Sequence, residues 1–303
     1  MTTTEVVPRP ATAAGADGPA VRVRGLEKRY GGRAVLEGLD LEVRRGEVFA
    51  LLGPNGAGKT TTIEVLEGVR RRDGGAVTVL GEDPARAGRA WRARIGVVSQ
   101  GEPAGQALSV RETLDHFAAY TATPRSTADL LDAVGLTDQA GTRVGRLSGG
   151  QQRRLAVALG VQGRPDLVFL DEPTTGMDPV ARRQFWELVR NLRAGGTTVL
   201  LTTHYLDEAA ELADRVGVVS GGRLVEVGAP DELGAALRRV ATVSWTEAGA
   251  RRQVRTDAPA AVLRDLLAVA PSEVPGLTVT SPGLEDVYLQ LVGAVPTTAG
   301  GTR

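Results

Sequence analysis

The densest chemical signal in the chain is Gly53-Pro54-Asn55-Gly56-Ala57-Gly58-Lys59-Thr60, followed by Thr61. It fits a phosphate-binding loop, because its glycines let backbone N–H groups converge on phosphate oxygens. Val48 to Leu52 before it reads as a strand, and Thr61 to Leu66 after it reads as a helix whose N-terminal dipole favours an anion. In that setting Lys59 reaches the β and γ phosphates and Thr60 offers its hydroxyl to magnesium. The implied ligand is ATP or GTP with Mg2+. A plain Gly-rich strand-to-helix turn is the competing reading, and the flanking strand and helix weigh against it.

A second signal is Phe169-Leu170-Asp171-Glu172-Pro173. Two carboxylates ending an apolar run are expensive unless a cation or a reaction uses them. Asp171 is therefore expected to hold the magnesium through its water shell, and Glu172 to act as general base on the attacking water. Acids at the carboxyl end of a strand could instead only cap the next segment. Leu147-Ser148-Gly149-Gly150-Gln151 is a third signal: a hydroxyl and bare backbone at a helix start, suited to an anion. A Ser-capped helix start with no ligand is the commoner use of such residues.

These loops need a frame. Short β-type runs at Val21 to Val23, Leu39 to Val43 and Val48 to Leu52, broken by turns such as Gly31-Gly32, predict an antiparallel opening. After Leu52, strand-like runs at Val77 to Leu80, Ile95 to Val98, Leu167 to Leu170, Thr198 to Leu201 and Val216 to Val219 alternate with helix-length segments. That alternation predicts an α/β fold with a mainly parallel sheet covered on both faces. Helices over Leu108 to Ala119, Ser126 to Val134 and Gly149 to Leu159 predict a helical subdomain inserted at about 101–162. Residues 1–20 read as a disordered tail without the features of a secretory signal, 21–236 as the nucleotide-binding unit, 237–293 as a small α+β accessory domain and 294–303 as a second tail. The last helix has Ser281 as cap candidate, Pro282 in its first turn and Leu284, Val287, Tyr288 and Leu291 on one face, which should be buried.

Apolar residues make up 42% and charged residues 24%, the balance of a globular chain, and the apolar runs are too interrupted to span a bilayer. Acids and bases cancel at 36 each, so no global field favours nucleic acid, and no direct nucleic-acid contact is expected. Cysteine is absent, excluding disulfides and thiol chemistry. Lys28 and Lys59 are the only lysines in an Arg-rich chain, which singles out Lys59. Arg70-Arg71-Arg72, His116, Trp91, Trp186 and Trp245 are read as solvated charge, structural histidine and packing aromatics.

Taken in order, the motifs resemble the ABC ATPase family from Val21 to about Pro230. Leu147 to Gln151 is similar to that family's signature sequence. The resemblance implies that Tyr30 stacks on adenine, and that Gln100, after Val97-Val98-Ser99, senses magnesium and the attacking water. It implies that Thr175-Gly176-Met177-Asp178 links paired sites, and that His204, after Leu201-Thr202-Thr203, contacts the γ phosphate. It further implies two cassettes packed head to tail, each ATP held by the phosphate loop of one and by the Ser148 to Gln151 segment of the other. A separately encoded membrane permease would be driven through the groove beside Gln100, with this chain peripheral on the cytoplasmic face. Ser281-Pro282-Gly283-Leu284-Glu285-Asp286-Val287-Tyr288-Leu289 is similar to the ending of antibiotic and multidrug export cassettes of the daunorubicin-resistance type. A soluble ABC ATPase acting on DNA or ribosomes, or an importer motor, are the alternatives.

Overall fold

The computed structural model describes residues 18–98, 106–234, 240–247, 249–269 and 274–293. The chain opens with β1 (Val21–Tyr30), β2 (Arg33–Val43) and β3 (Val48–Leu52), then enters α1 (Lys59–Leu66). β4 (Gly74–Val79), the single turn α2 (Arg89–Arg92) and β5 (Ile95–Val98) come after it. Next are α3 (Val110–Ala118), α4 (Thr127–Ala133) and α5 (Gly149–Val161), with no named strand among the described residues between β5 and the next strand. β6 (Leu167–Asp171), α6 (Pro179–Ala194), β7 (Thr198–Thr203), α7 (Leu206–Leu212), β8 (Arg215–Ser220) and β9 (Arg223–Gly228) complete the larger α/β part. β10 (Ala241–Glu247), β11 (Ala250–Thr256), α8 (Pro259–Val269), β12 (Thr278–Thr280) and α9 (Leu284–Gly293) close the described chain.

The central sheet runs β5-β6-β7-β3-β8-β9, parallel except for the edge strand β9, which returns antiparallel against β8. All five residues of β3 and of β6 are buried, as are all six of β7, because helices and the second sheet cover both faces. Alternation within these strands survives as a choice of core. Val48, Ala50 and Leu52 join one apolar cluster with α5 and α6, whereas Phe49 and Leu51 join another with α1 and the antiparallel sheet.

That antiparallel sheet, ordered β2-β1-β4, corrects two expectations: it does not contain β3, which the sequence groups with the antiparallel opening but which is buried on both faces and runs parallel between β7 and β8. The sequence groups Val77 to Leu80 with the parallel strands, yet β4 pairs with β1, Val21 opposite Val79 and Val23 opposite Val77. The physical cue is its period: Val77 and Val79 are buried and Thr78 is exposed, the half-solvated pattern of a one-faced sheet. β9 has the same alternation, and nothing in the sequence reading singles it out.

The helix ends obey local chemistry. Ser109 caps α3 in a reciprocal box with Glu112, and Ser126 Oγ accepts from the Asp129 N–H. The final helix starts later than expected: α9 begins at Leu284, Pro282 lies before it, and the Gly283 N–H donates to Asp286 Oδ2 at 2.9 Å, so Ser281 is not the cap. Of its apolar face Val287 is buried and Leu284, Tyr288 and Leu291 are half-buried, against the larger part of the molecule. Leu284, Tyr288, Leu291 and Val292 pack on the cluster beneath β8 and α7. Val287 is fully buried against Gly234, where any side chain would collide with its methyl groups.

Val287→Asp buries an unpaired carboxylate in that contact and is expected to cost roughly 3 kcal/mol or more. Hydrogen exchange should then show α9 opening ahead of the rest, and α9 protection equal to wild type would refute this docking.

Candidate functional site

Five residues meet at the carboxyl ends of three adjacent parallel strands. The register places Leu52 beside Thr203 and Asp171 beside Thr202, so the loop after β3, the acids ending β6 and the turn after β7 emerge together. The phosphate-loop segment Gly53 to Thr60 arches between β3 and α1. Gly58 sits at φ 105° with its missing side chain facing Leu36 and the Val35 carbonyl, so no L-residue fits there. The Ala57 N–H donates to the Pro54 carbonyl at 3.2 Å, tightening the arch; Asn55 and Gly56 form its exposed rim and Thr61 is half-buried in the first turn of α1.

Lys59 is only 4% exposed. Its Nζ donates to the carbonyls of Gly53 (2.8 Å) and Pro54 (3.2 Å) and lies 3.5 Å from Glu172 Oε1. Glu172 Oε2 in turn lies 3.5 Å from His204 Nδ1. Thr60 Oγ1 donates to the Asp171 carboxylate, at 3.2 Å from one oxygen and 3.4 Å from the other. Glu172 holds a left-handed backbone, φ 44°, at a cost of about 1–3 kcal/mol for a non-glycine residue.

Two residues that the sequence reading leaves without a role, Thr202 and Arg153, hold this geometry. Thr202 Oγ1 donates to Asp171 Oδ1 and accepts from the Glu172 N–H at 3.0 Å, so one hydroxyl fixes both acids. Arg153, on α5, donates to the Asp171 carbonyl and to the Pro173 carbonyl at 3.0 Å. Burial works against its charge and lowers its pKa, offset by the carboxylates of Asp171, Glu208 and Glu172. Glu67, just past α1, is pushed up to about 8, first by burial and then by the negative charges of Asp171 and Glu64. Arg153 sits in the signature helix and Thr202 two residues before His204. Those neighbourhoods were the available clues.

The remaining residues sit elsewhere. Ser148 and Gln151 form a reciprocal capping box on α5, the Gln151 N–H to Ser148 Oγ at 3.3 Å and the Ser148 N–H to Gln151 Oε1 at 2.9 Å, with Gly149 and Gly150 between them. Asp178 caps α6, accepting from the N–H groups of Val180 and Ala181 at 2.9 Å each, which lowers its pKa. Both segments are thus satisfied locally in the single chain. Tyr30 ends β1, 39% exposed, with the Arg70 guanidinium 5.1 Å and Lys28 Nζ 5.5 Å from its ring centre. Arg70 is thereby more than solvated charge. Trp91 donates to the Val79 carbonyl from a buried packing position, and His116 packs edge-on to Phe117 and Tyr120. Gln100 lies outside the described residues.

A phosphate loop after β3 and paired acids at the end of β6, with β7 between the two strands, fit a nucleoside-triphosphate-hydrolysing fold, and comparison with known proteins narrows it. The family described as ABC transporter matches residues 36–175. The daunorubicin resistance ATP-binding protein DrrA2 of Streptomyces coeruleorubidus is 48% identical over 223 residues, 72% of this chain and 69% of that protein. The Nod factor export ATP-binding protein I of Ralstonia nicotianae is 45% identical over 221 residues, 71% of this chain and 68% of that protein. A solved structure of an ATP-binding subunit of an ABC transporter superposes with TM-score 0.65 at 28% identity, covering 72% of this chain and 92% of that one. The chain belongs to the ABC transporter family as an ATP-binding, ATP-hydrolysing cassette. Among the described residues no helix is long and apolar enough to cross a membrane.

Thr202→Val keeps the volume and removes the hydroxyl, so ATPase kcat should fall about tenfold to a hundredfold with little change in nucleotide affinity. An unchanged kcat would deny Thr202 its role. For Glu67 the sign comes from its raised pKa: the folded state favours the protonated acid, so stability is full below about pH 4.5 and is lost as pH rises through about 8. Melting in EDTA should therefore show Glu67→Gln stabilising at pH 9 and nearly neutral at pH 4.5. Equal shifts at both would contradict it.

Proposed function

We propose that this chain is the ATP-driven motor of an exporter for drugs or antibiotics, working on a separately encoded permease at the cytoplasmic face of the membrane. The observation that carries the reading is the convergence of Lys59, Glu172 and His204 within 3.5 Å contacts beside the Thr60–Asp171 pair. The γ phosphate would take the place Lys59 now fills by bonding its own loop, with Lys59 turned onto it. Glu172 would accept the proton of the attacking water, and His204 would bear on the γ phosphate from the far side.

Thr60 and Asp171 fit Mg2+. They offer hard oxygens side by side. That suits an ion that keeps water and substrate oxygens in its shell. Bound there, it would neutralise charge building on the phosphates.

Two further features support coupling to a partner. The export printed in the name of the Nod factor relative, with the drug resistance printed in that of the daunorubicin relative, favours an exporter over an importer. A cleft of about 340 Å³ lies among the start of β5 and the ends of α3 and α5, lined by Ile95, Phe117, Tyr120, Leu159, Gln162 and Pro165. We assign the permease contact to this cleft and the closed state to two cassettes packed head to tail, with Ser148, Gly149, Gly150 and Gln151 of one facing the nucleotide of the other.

The test is light scattering of Glu172→Gln with Mg-ATP. Nucleotide should convert the variant from monomer to dimer while hydrolysis falls about a hundredfold or more. Hydrolysis at the wild-type rate would reject Glu172 as base, and a monomer throughout would reject the homodimer.

A further inference from the structure

Glu208, on α7, is fully buried and stands apart from the phosphate site. Its two carboxyl oxygens are sealed from solvent without a hydrogen bond of ordinary geometry, and so are Thr174 Oγ1 and Trp186 Nε1. These groups are neighbours. The side chains of Thr203, Thr174 and Trp186 surround the carboxyl and, with the charge of Arg182, work against the upward push that burial gives its pKa. The Arg153 guanidinium also feels the Glu208 charge from α5. On its own helix, Asp207 is engaged outward, with Arg182 at 3.2 Å.

An acid enclosed with donors that are poorly aligned on it destabilises the fold, and an apolar side chain of the same volume would pack there at less cost. Such a cost is understandable where the cluster connects moving parts. Glu208 stands between two segments that bear on the reaction. On one side Thr203 Oγ1 accepts from the Tyr205 N–H at 2.9 Å, framing His204, whose ring lies 4.1 Å from that of Tyr205. On the other, Thr174 comes after Glu172 and Pro173 and starts the turn to Asp178, its carbonyl accepting from the Met177 N–H at 3.0 Å. Glu208 thus places one carboxyl within reach of both segments, through Thr203 on one side and Thr174 on the other.

We propose that Glu208 is a positioning residue for hydrolysis: its enclosed carboxyl ties the turn carrying His204 to Thr174, so that the loop running to Asp178 and the histidine adopt their working positions together. The inference rests on reading Glu172 and His204 as the hydrolytic pair.

The experiment is steady-state ATPase of the full chain with Mg-ATP, with melting temperature measured alongside. Glu208→Leu should lower kcat about tenfold or more, leave KM within about twofold, and keep or raise the melting temperature. Glu208→Gln, which retains an acceptor and a donor, should stay within about threefold of wild type. Thr174→Val should lower kcat, and combined with Glu208→Leu should cost no more than Glu208→Leu alone. If Glu208→Leu does not fold, Glu208→Gln against Thr174→Val carries the comparison. A wild-type rate in Glu208→Leu, a loss in Glu208→Gln as deep as in Glu208→Leu, or losses that simply multiply with Thr174→Val would overturn the inference. Glu172→Gln measured in parallel separates the two readings. If it hydrolyses like wild type, the hydrolytic pair is wrong; if it is inactive while Glu208→Leu is not, only the role of Glu208 fails.

Discussion

The register of β3, β6 and β7 is the constraint on which the rest depends. All three strands are buried on both faces, so none can slide by a residue without moving side chains between two separate cores. That locking fixes where the strands end, and their ends carry the phosphate loop, Asp171 with Glu172, and Thr202 with Thr203. A buried ammonium and two acids can then be held in contact at a depth where flexible loops alone would not position them. The larger helices serve the same register from outside, and Arg153 is the clearest case, reaching from α5 to the backbone of Asp171 and Pro173.

Within that frame the site is held out of its relaxed state. Glu172 keeps an unfavourable backbone angle because Thr202 grips its N–H through both the carbonyl and the hydroxyl. Lys59, surrounded by protein, satisfies its ammonium with two carbonyls of its own loop and the Glu172 carboxylate. A phosphate offers the same ammonium a stronger, charge-assisted partner. In the proposed reading, nucleotide binding would then be an exchange of partners at a cradle already formed.

The sequence disclosed the loops because each is a local pattern: glycines before a lysine, acids after an apolar run, a serine before two glycines. It disclosed the parallel sheet because buried strands read as unbroken apolar runs. It concealed what depends on distant pairing. The partner of β4 is set by a hydrogen-bond ladder to β1, far off in sequence, and only the alternation of Val77, Thr78 and Val79 hinted at it. Thr202, Arg153 and Glu208 look ordinary in sequence, since a threonine in a strand, an arginine in a helix and a glutamate beside an aspartate all have plain uses. Their significance lies in what they touch away from their own positions, as Arg153 touches Asp171 across 18 residues and Thr202 touches it across 31. The start of the last helix differs from its sequence pattern for a local reason: Asp286 reaches back to the Gly283 N–H and moves the cap past Pro282.

Gly149 and Gly150 show a requirement that the single chain does not explain. Gly58 has an internal reason to be glycine in its left-handed backbone and its contact with Leu36. Neither helix glycine has one: a side chain added at either position would meet nothing within 4 Å in this chain. Glycine in a helix costs about 0.5–1 kcal/mol relative to alanine, so two in succession are a loss that the isolated chain does not recover. Ser148 beside them is already satisfied by its capping box with Gln151, so helix formation gives no reason for the bare backbone. The bare backbone at this helix start is where the proposed head-to-tail arrangement would bring the phosphates of a nucleotide held by a second cassette.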